Sequence, residues 1–152
     1  MNVDVQYACS ADALPKEEDF FAWANSVDYS DDANICIRVV DSDESADLNN
    51  KFRKKNTPTN VLSFKFDCPP DVTPKILGDI VICATLVDSE AREFLITPHE
   101  RWAHMTIHGL LHLLGYDHEN KQDAKAMELI EAQAMKKLGY SDPYQSKLTL
   151  CK

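Results

Sequence analysis

The sequence predicts a single α+β (or α/β) domain in which about five helices pack around a mixed four-stranded sheet. Three observations carry this expectation. Four short runs rich in β-branched residues alternate with segments of helical periodicity, which is the pattern of helices layered on a sheet. One segment, from Trp102 to Leu114, is apolar on most faces and reads as a central helix packed on several sides. At 152 residues and 44% hydrophobic residues, the chain can build one real core and is too short for two, so residues 1–152 are taken as one domain.

The elements follow in order. Val3 to Ala8 reads as a strand, and Lys16 to Val27 as an amphipathic helix whose Phe20, Phe21, Trp23 and Ala24 belong to the core. Ile35 to Val40 is a strand, Ser45 to Phe52 a helix, and Val61 to Phe66 and Ile76 to Cys83 two further strands. The intervening Asp67 to Pro74 contains three prolines and should form a surface hairpin or excursion. Residues 84 to 94 suggest a helix. Thr97-Pro98-His99-Glu100 then fits a helix start, with Thr97 as N-cap, Pro98 in the first position and Glu100 placed to complete a capping box. A last helix runs from about Lys121 to Leu138 and stops at Gly139, leaving a tail from about residue 141 that is expected to be mobile.

Composition narrows the function. No run approaches the ~18 apolar residues that span a bilayer, and the first residues lack the basic and apolar regions of a signal peptide, so a cytoplasmic protein is expected. The cysteines at 9, 36, 68, 83 and 151 are odd in number, widely spaced and free of any C-x-x-C pair, which argues against a disulfide framework or a zinc ribbon. Cys36 and Cys83 are read as small buried hydrophobes in strands, and Cys151 as an exposed thiol. No internal repeat, low-complexity segment or glycine-rich phosphate loop is present. The formal charge of −9 opposes a nucleic-acid substrate, because Lys and Arg contacts to phosphate normally supply most nonspecific affinity. Yet Lys51, Arg53, Lys54 and Lys55 fall within five residues. They read equally as a basic rim for a short single strand or as a solvated helix end whose cations face the negative end of the helix dipole.

The chemistry is concentrated in His108-Gly-Leu-Leu-His112-Leu-Leu-Gly115-Tyr-Asp117-His118. A helix turns once in about 3.6 residues, so His108 and His112 share a face one turn apart. Gly115 is the natural stop, because a residue without Cβ enters the left-handed conformation without strain and lets the chain swing His118 back toward the first two. Three neutral imidazoles leave an ion's charge uncompensated and a coordination position open, the arrangement of a catalytic zinc. Water bound there falls in pKa from about 16 to about 7, and a substrate oxygen can be polarised. His104, one turn earlier, is read as packing or as support behind a ligand, and His99 as solvated. The His-x3-His-x5-His spacing also matches metzincin proteases, but their general-base glutamate is Gly109 here, which cannot carry a proton to a leaving amine. A dicationic site without a neighbouring carboxylate suits an anionic substrate such as a phosphodiester.

These residues resemble the YbeY family of bacterial metal-dependent endoribonucleases, whose hallmark H-G-x-L-H-L-x-G-Y-D-H is matched at every fixed position. A second block, Leu48 through Arg53, Pro58, Thr59 and Asn60 to Ser63-Phe64, resembles the family's L-N-x-x-[YF]-R-G-K-D-x-P-T-N-V-L-S-F, and Leu77-Gly78-Asp79-Ile80 its L-G-D-I segment. The resemblance implies helices around a four-stranded sheet with the metal in a cleft. It implies a single-strand-preferring ribonuclease that matures small-subunit ribosomal RNA, particularly its 3′ end, and takes part in ribosome quality control. The family's metal ligands carry over to His108, His112 and His118, and its functional arginine to Arg53. Three positions depart from the pattern: Lys54 stands for the usual Gly, Asn56 for Asp and Lys65 for Pro.

The expected activity is therefore cleavage of an RNA phosphodiester with one divalent metal ion, most simply zinc, held by the three histidines while Arg53 binds the phosphate bidentately. Lys51, Lys54, Lys55, Asn60 and Ser63 are substrate-binding candidates, with Thr59 beside them, although Thr and Asn next to Pro58 are equally natural turn residues. Asp117, His104 and Asp79 are candidates to orient ligand histidines from behind. The partners expected are single-stranded or ribosomal RNA and, by the resemblance, the small ribosomal subunit with its assembly factors, with neither membrane nor DNA. The rivals are a metalloprotease-like hydrolase, a non-catalytic ribosome-associated RNA-binding factor with a structural metal, and a hydrolase of small phosphoesters.

Overall fold

The computed structural model describes residues 1–117 and 119–144. Strands β1 (Asn2–Tyr7), β2 (Ala33–Val40), β3 (Val61–Lys65) and β4 (Lys75–Cys83) form one sheet in the order β1-β2-β4-β3. The β1–β2 and β2–β4 pairs are parallel and β3 is antiparallel to β4, so the sheet is mixed as expected. Five helices accompany it: α1 (Glu17–Ala24), α2 (Ser42–Arg53), α3 (Ala84–Glu93), α4 (Pro98–Leu113) and α5 (Lys121–Lys137). The parallel pairs need crossovers, and α1 supplies the first. The antiparallel pair needs only a hairpin, and the proline-rich loop is its connection.

Alternation along β2 and β4 divides the sheet into two unequal faces. Ile35, Ile37 and Val39 of β2 and Ile80 and Ile82 of β4 join Phe20, Trp23, Trp102, Ile107, Leu110 and Leu111 in the main core, beneath α1, α4 and α5. Each such side chain, fully buried, contributes roughly 1.5–3 kcal/mol relative to exposure. Phe20 meets both Trp23 and Trp102 edge-on, which ties α1 to α4. On the other face Val40, Leu62, Val81 and Cys83 pack with Leu48 of α2. The rest of that face is more open, and the register aligns Asp4, Cys36 and Asp79 across three strands.

Helix α4 is positioned by one glycine. A Cβ on Gly109 would stand 2.7 Å from Ile80 Cγ2 and 3.2 Å from Val61 Cγ2, so only glycine lets the helix approach β3 and β4 this closely. Ser63 Oγ then donates to the Gly109 carbonyl at 2.8 Å and sets the helix against the strand. Thr97 Oγ1 accepts from the Glu100 amide at 3.2 Å, the N-cap half of the expected box. At the far end Gly115 has φ +98°, its amide bonds to the His112 carbonyl at 3.1 Å, and the Tyr116 amide bonds to the Leu111 carbonyl at 3.0 Å. That is a Schellman stop, which reverses the chain just past His112.

Several boundaries differ from expectation for identifiable reasons. α1 ends at Ala24 and not Val27, because Asn25 Nδ2 bonds to the Phe21 carbonyl and Ser26 Oγ to the Trp23 carbonyl, diverting the last turn. α2 begins at Ser42, three residues before the expected start, because Asp41 accepts from the Glu44 amide at 2.9 Å and caps it there. Cys83 is buried, but Cys36 is only half-buried, since alternation points it to the more open face. Partial burial, with Asp79 and Asp4 alongside, pushes its thiol pKa up. Cys151 lies outside the described residues. The tail is held at least as far as Tyr144, whose hydroxyl donates to Glu131 at 2.8 Å.

Candidate active site

The C-terminal end of α2, the loop after it, β3 and the C-terminal half of α4 enclose a cleft of about 700 Å³. Arg53, in the last turn of α2, anchors on the Ser63 carbonyl at 3.4 Å. Behind it the loop is pinned to α2: Ser45 Oγ donates to the Thr59 carbonyl at 2.7 Å, and Asn49 Nδ2 to the Thr57 carbonyl at 2.7 Å. Lys55, Asn60, Ser63 and Lys65 line the same cleft, as do His108, His112 and Asp117. Against a net charge of −9, the cleft gathers Arg53, Lys55 and Lys65 around two imidazoles, but Asp117 and Glu119 also line it and Glu131 lies behind His108, so the expected absence of a neighbouring carboxylate does not hold.

The Nε2 atoms of His108 and His112 stand 3.2 Å apart, and their ring centroids 4.7 Å apart. Ligands about 2.0–2.1 Å from a tetrahedral zinc are separated by about 3.3–3.4 Å, so the pair already has nearly the spacing of two corners of such a site. His118, the third expected donor, lies outside the described residues. Among the described residues no three donor side chains converge.

Not every candidate from the sequence is gathered here. Lys51 lies over the Phe52 ring at 5.4 Å and, like Lys54, is not part of the cleft wall. Lys54 instead closes α2 in the left-handed conformation, φ 57°. Asp79 is exposed on the sheet face opposite α4, since its neighbours Gly78 and Ile80 are the residues that point toward the helix. Two cleft residues have their donors engaged within the protein: Ser63 at Gly109, and Asn60 at both Glu90 oxygens, 3.2 and 3.3 Å away. His99 is exposed and pairs with Asp19 at 3.3 Å.

Behind the histidines runs a buried polar chain in which the sequence named only His104 as a supporting candidate and missed Glu131, Arg101 and Glu90. His108 Nδ1 is 3.3 Å from Glu131 Oε1, and His104 Nε2 meets Glu131 Oε2 in a short hydrogen bond. Arg101 Nη1 stands 3.3 Å from His104 Nδ1, while Arg101 Nε and Nη2 donate to Glu90 Oε1 at 3.0 and 2.9 Å. Glu131 is 1% exposed. Burial by itself would raise its carboxyl, but hydrogen bonds from His104 and His108 prevail and hold it at about 2. Burial lowers the pKa of His104, and burial together with Glu131 raises that of Tyr144. A signal for Glu131 was available: Met127, Glu131, Ala134 and Met135 form the buried stripe of α5, and a lone carboxylate on an apolar stripe requires partners.

Residues 14–139 match the family model described as Endoribonuclease YbeY. The chain belongs to the endoribonuclease YbeY family. Endoribonucleases of this family are hydrolases that act in ribosomal RNA processing, and that is the coarse activity of this member. The chain is also similar to the solution structure of TM1509 from Thermotoga maritima, with 25% identity and a TM-score of 0.52 over 93% of this chain and 97% of that one. No helix among the described residues is long and apolar enough to cross a membrane.

Two of the departures from the YbeY pattern acquire a physical meaning. The family's glycine after the arginine is here Lys54 at a left-handed helix cap, a conformation that costs a residue with Cβ about 1–2 kcal/mol. Lys65, where the family usually has Pro, adds a cation to the cleft: a Cβ built on Gly115 would lie 4.0 Å from its Nζ. The C-terminal end of α4, with its partial negative charge, is therefore the neighbour of this ammonium.

Proposed function

We propose that this YbeY-family protein is a metal-dependent, single-strand-preferring endoribonuclease acting in the cytoplasm on small-subunit ribosomal RNA, particularly its 3′ end, and in ribosome quality control. The observation that carries the reading is the 3.2 Å approach of the His108 and His112 Nε2 atoms in a cleft walled by Arg53, Lys55 and Lys65. The donor chemistry fits one divalent ion, most simply zinc, held by His108, His112 and His118. When bound, that ion supplies Lewis-acid polarisation of a phosphoryl oxygen and acidifies water for attack or proton removal.

The remaining work falls to this chain's own side chains. Arg53 presents a planar fork that matches two phosphate oxygens, and its anchor on the Ser63 carbonyl keeps it on the wall of the cleft that His108 and His112 also line. Lys55 and Lys65 bind flanking phosphates as point charges. The preference for single-stranded RNA, presented by the small ribosomal subunit with its assembly factors, follows from the resemblance to the YbeY family. The protease alternative loses ground twice at Gly109: it lacks a carboxylate, and the 2.7 Å approach to Ile80 leaves no room for one.

The test is cleavage of a defined single-stranded RNA by purified protein, with and without a chelator and after restoring zinc, beside casein. Cleavage that disappears with the chelator and returns with zinc is expected, together with inactive His112→Ala. Arg53→Ala should keep its metal and lose about 10²–10³-fold in turnover, the scale for removing one charge-stabilising donor. Undiminished cleavage in the chelator would overturn metal dependence, and unchanged turnover would remove Arg53 from the mechanism.

A further inference from the structure

We propose that Glu131 is a positioning residue that fixes the proton placement on His104 and His108, so that His108 presents a bare Nε2 to the cleft. The donors and acceptors along the buried chain dictate this placement. A guanidinium has only donors, so the contact of Arg101 Nη1 with His104 Nδ1 requires a lone pair on Nδ1. The proton of His104 is then on Nε2, from which it is donated to Glu131 Oε2. Tyr144 donates to the same oxygen at 2.8 Å. With two donors already on Oε2, the carboxylate accepts at both ends, and at Oε1 the partner is His108 Nδ1 at 3.3 Å. His108 therefore carries its proton on Nδ1, and its unprotonated Nε2 can accept from His112 Nε2, 3.2 Å away, in the metal-free protein.

Arg101 is itself held by two contacts to Glu90, whose oxygens also receive Asn60 from the cleft wall. The chain thus begins and ends in the cleft, and Glu131, like Glu90, must accept in both directions. Glutamine has the same shape but one accepting oxygen and one donating nitrogen. With its oxygen on His104, its amide would face His108 Nδ1 and drive the proton of His108 to Nε2, where it blocks ligation. Turned over, the amide would oppose the Nε2 proton of His104, whose Nδ1 Arg101 already occupies. No orientation of Gln keeps both the bond to His104 and an unprotonated Nε2 on His108.

The consequence for metal affinity rests on the metal reading above, while the proton placement does not. Two measurements on the full chain separate them. In metal-free wild type, long-range ¹H–¹⁵N correlation at neutral pH should show His108 protonated at Nδ1 and His104 at Nε2. A His108 with Nδ1 bare and Nε2 protonated would overturn the proposal, whether or not any variant folds. Zinc competition against a chelator should show Glu131→Gln weaker than wild type by about 10–100-fold, the usual effect of losing a carboxylate behind a ligand histidine. Affinity within about threefold of wild type overturns the positioning role, since it falls well short of that range. Wild type that takes up no zinc would sink the metal reading instead, leaving the spectrum to decide the protons.

Discussion

Replacing Gly109 by Ala sets two physical effects against each other inside α4. Alanine is favoured over glycine in a helix interior by about 0.8–1 kcal/mol, and on propensity alone Gly109→Ala would stabilise. The added methyl would stand 2.7 Å from Ile80 Cγ2, 3.2 Å from Val61 Cγ2 and 3.3 Å from Ser63 Oγ. Ile80 is fully buried, β-branched, and on a strand paired on both sides, so its methyl has nowhere to go. Overpacking of this kind costs about 1–3 kcal/mol, and the rigid neighbour places it in the upper half, for a net loss of about 1–2 kcal/mol. For a chain of this size that is a fall in Tm of about 2–8 °C. Thermal and urea denaturation of the two proteins would read it. The same shift moves α4 off β3, so cleavage should fall together with stability. A variant as stable as wild type or more so would refute the reasoning, because it would mean that the helix–sheet contact is slack enough to accept a methyl.

Further expectations concern other parts of the molecule. Lys54→Gly relieves a left-handed residue at the end of α2 and, after the added freedom of the unfolded chain is subtracted, should stabilise by about 0.5–1 kcal/mol; an unchanged or lower urea midpoint would contradict it. Lys65→Ala should weaken binding of single-stranded RNA and make log K against log salt shallower by about 0.7, the loss of one phosphate contact; an unaltered slope would mean Lys65 touches no phosphate. Asp19 receives the Lys16 amide at 2.9 Å, and that bond, opposed by partial burial and aided by His99, holds its carboxyl below the usual range. A lowered folded pKa means stability present above the unfolded value near about 4 and lost as pH falls through the folded one. The urea midpoint of wild type should thus exceed that of Asp19→Asn at pH 7 and converge with it in acid, and a gap independent of pH would show that ionisation is irrelevant.

Local order was legible in the chain because it depends on neighbours in sequence. The N-cap at Thr97 with Pro98 behind it, the glycine stop at Gly115, and the i, i+4 spacing of His108 and His112 all appear in the structure where the pattern placed them. Boundaries slipped where a side chain competed for the last backbone groups, as Asn25 and Ser26 do at the end of α1. Which face a strand residue takes was not legible, and Asp79 and Cys36 show why: alternation says that neighbours differ, but not which side the helices will cover.

What the residues by themselves determined is the type of each element, the arrangement of two imidazoles one turn apart, and membership of an endoribonuclease family, since all three rest on short-range spacing and motif. What only the tertiary structure decided is which further groups share space with those imidazoles: Lys65 on the cleft wall, and Glu131, 23 residues beyond His108. Such contacts come from how helices pack on a sheet, where Gly109 sets the depth of approach and burial obliges a carboxylate to find its donors.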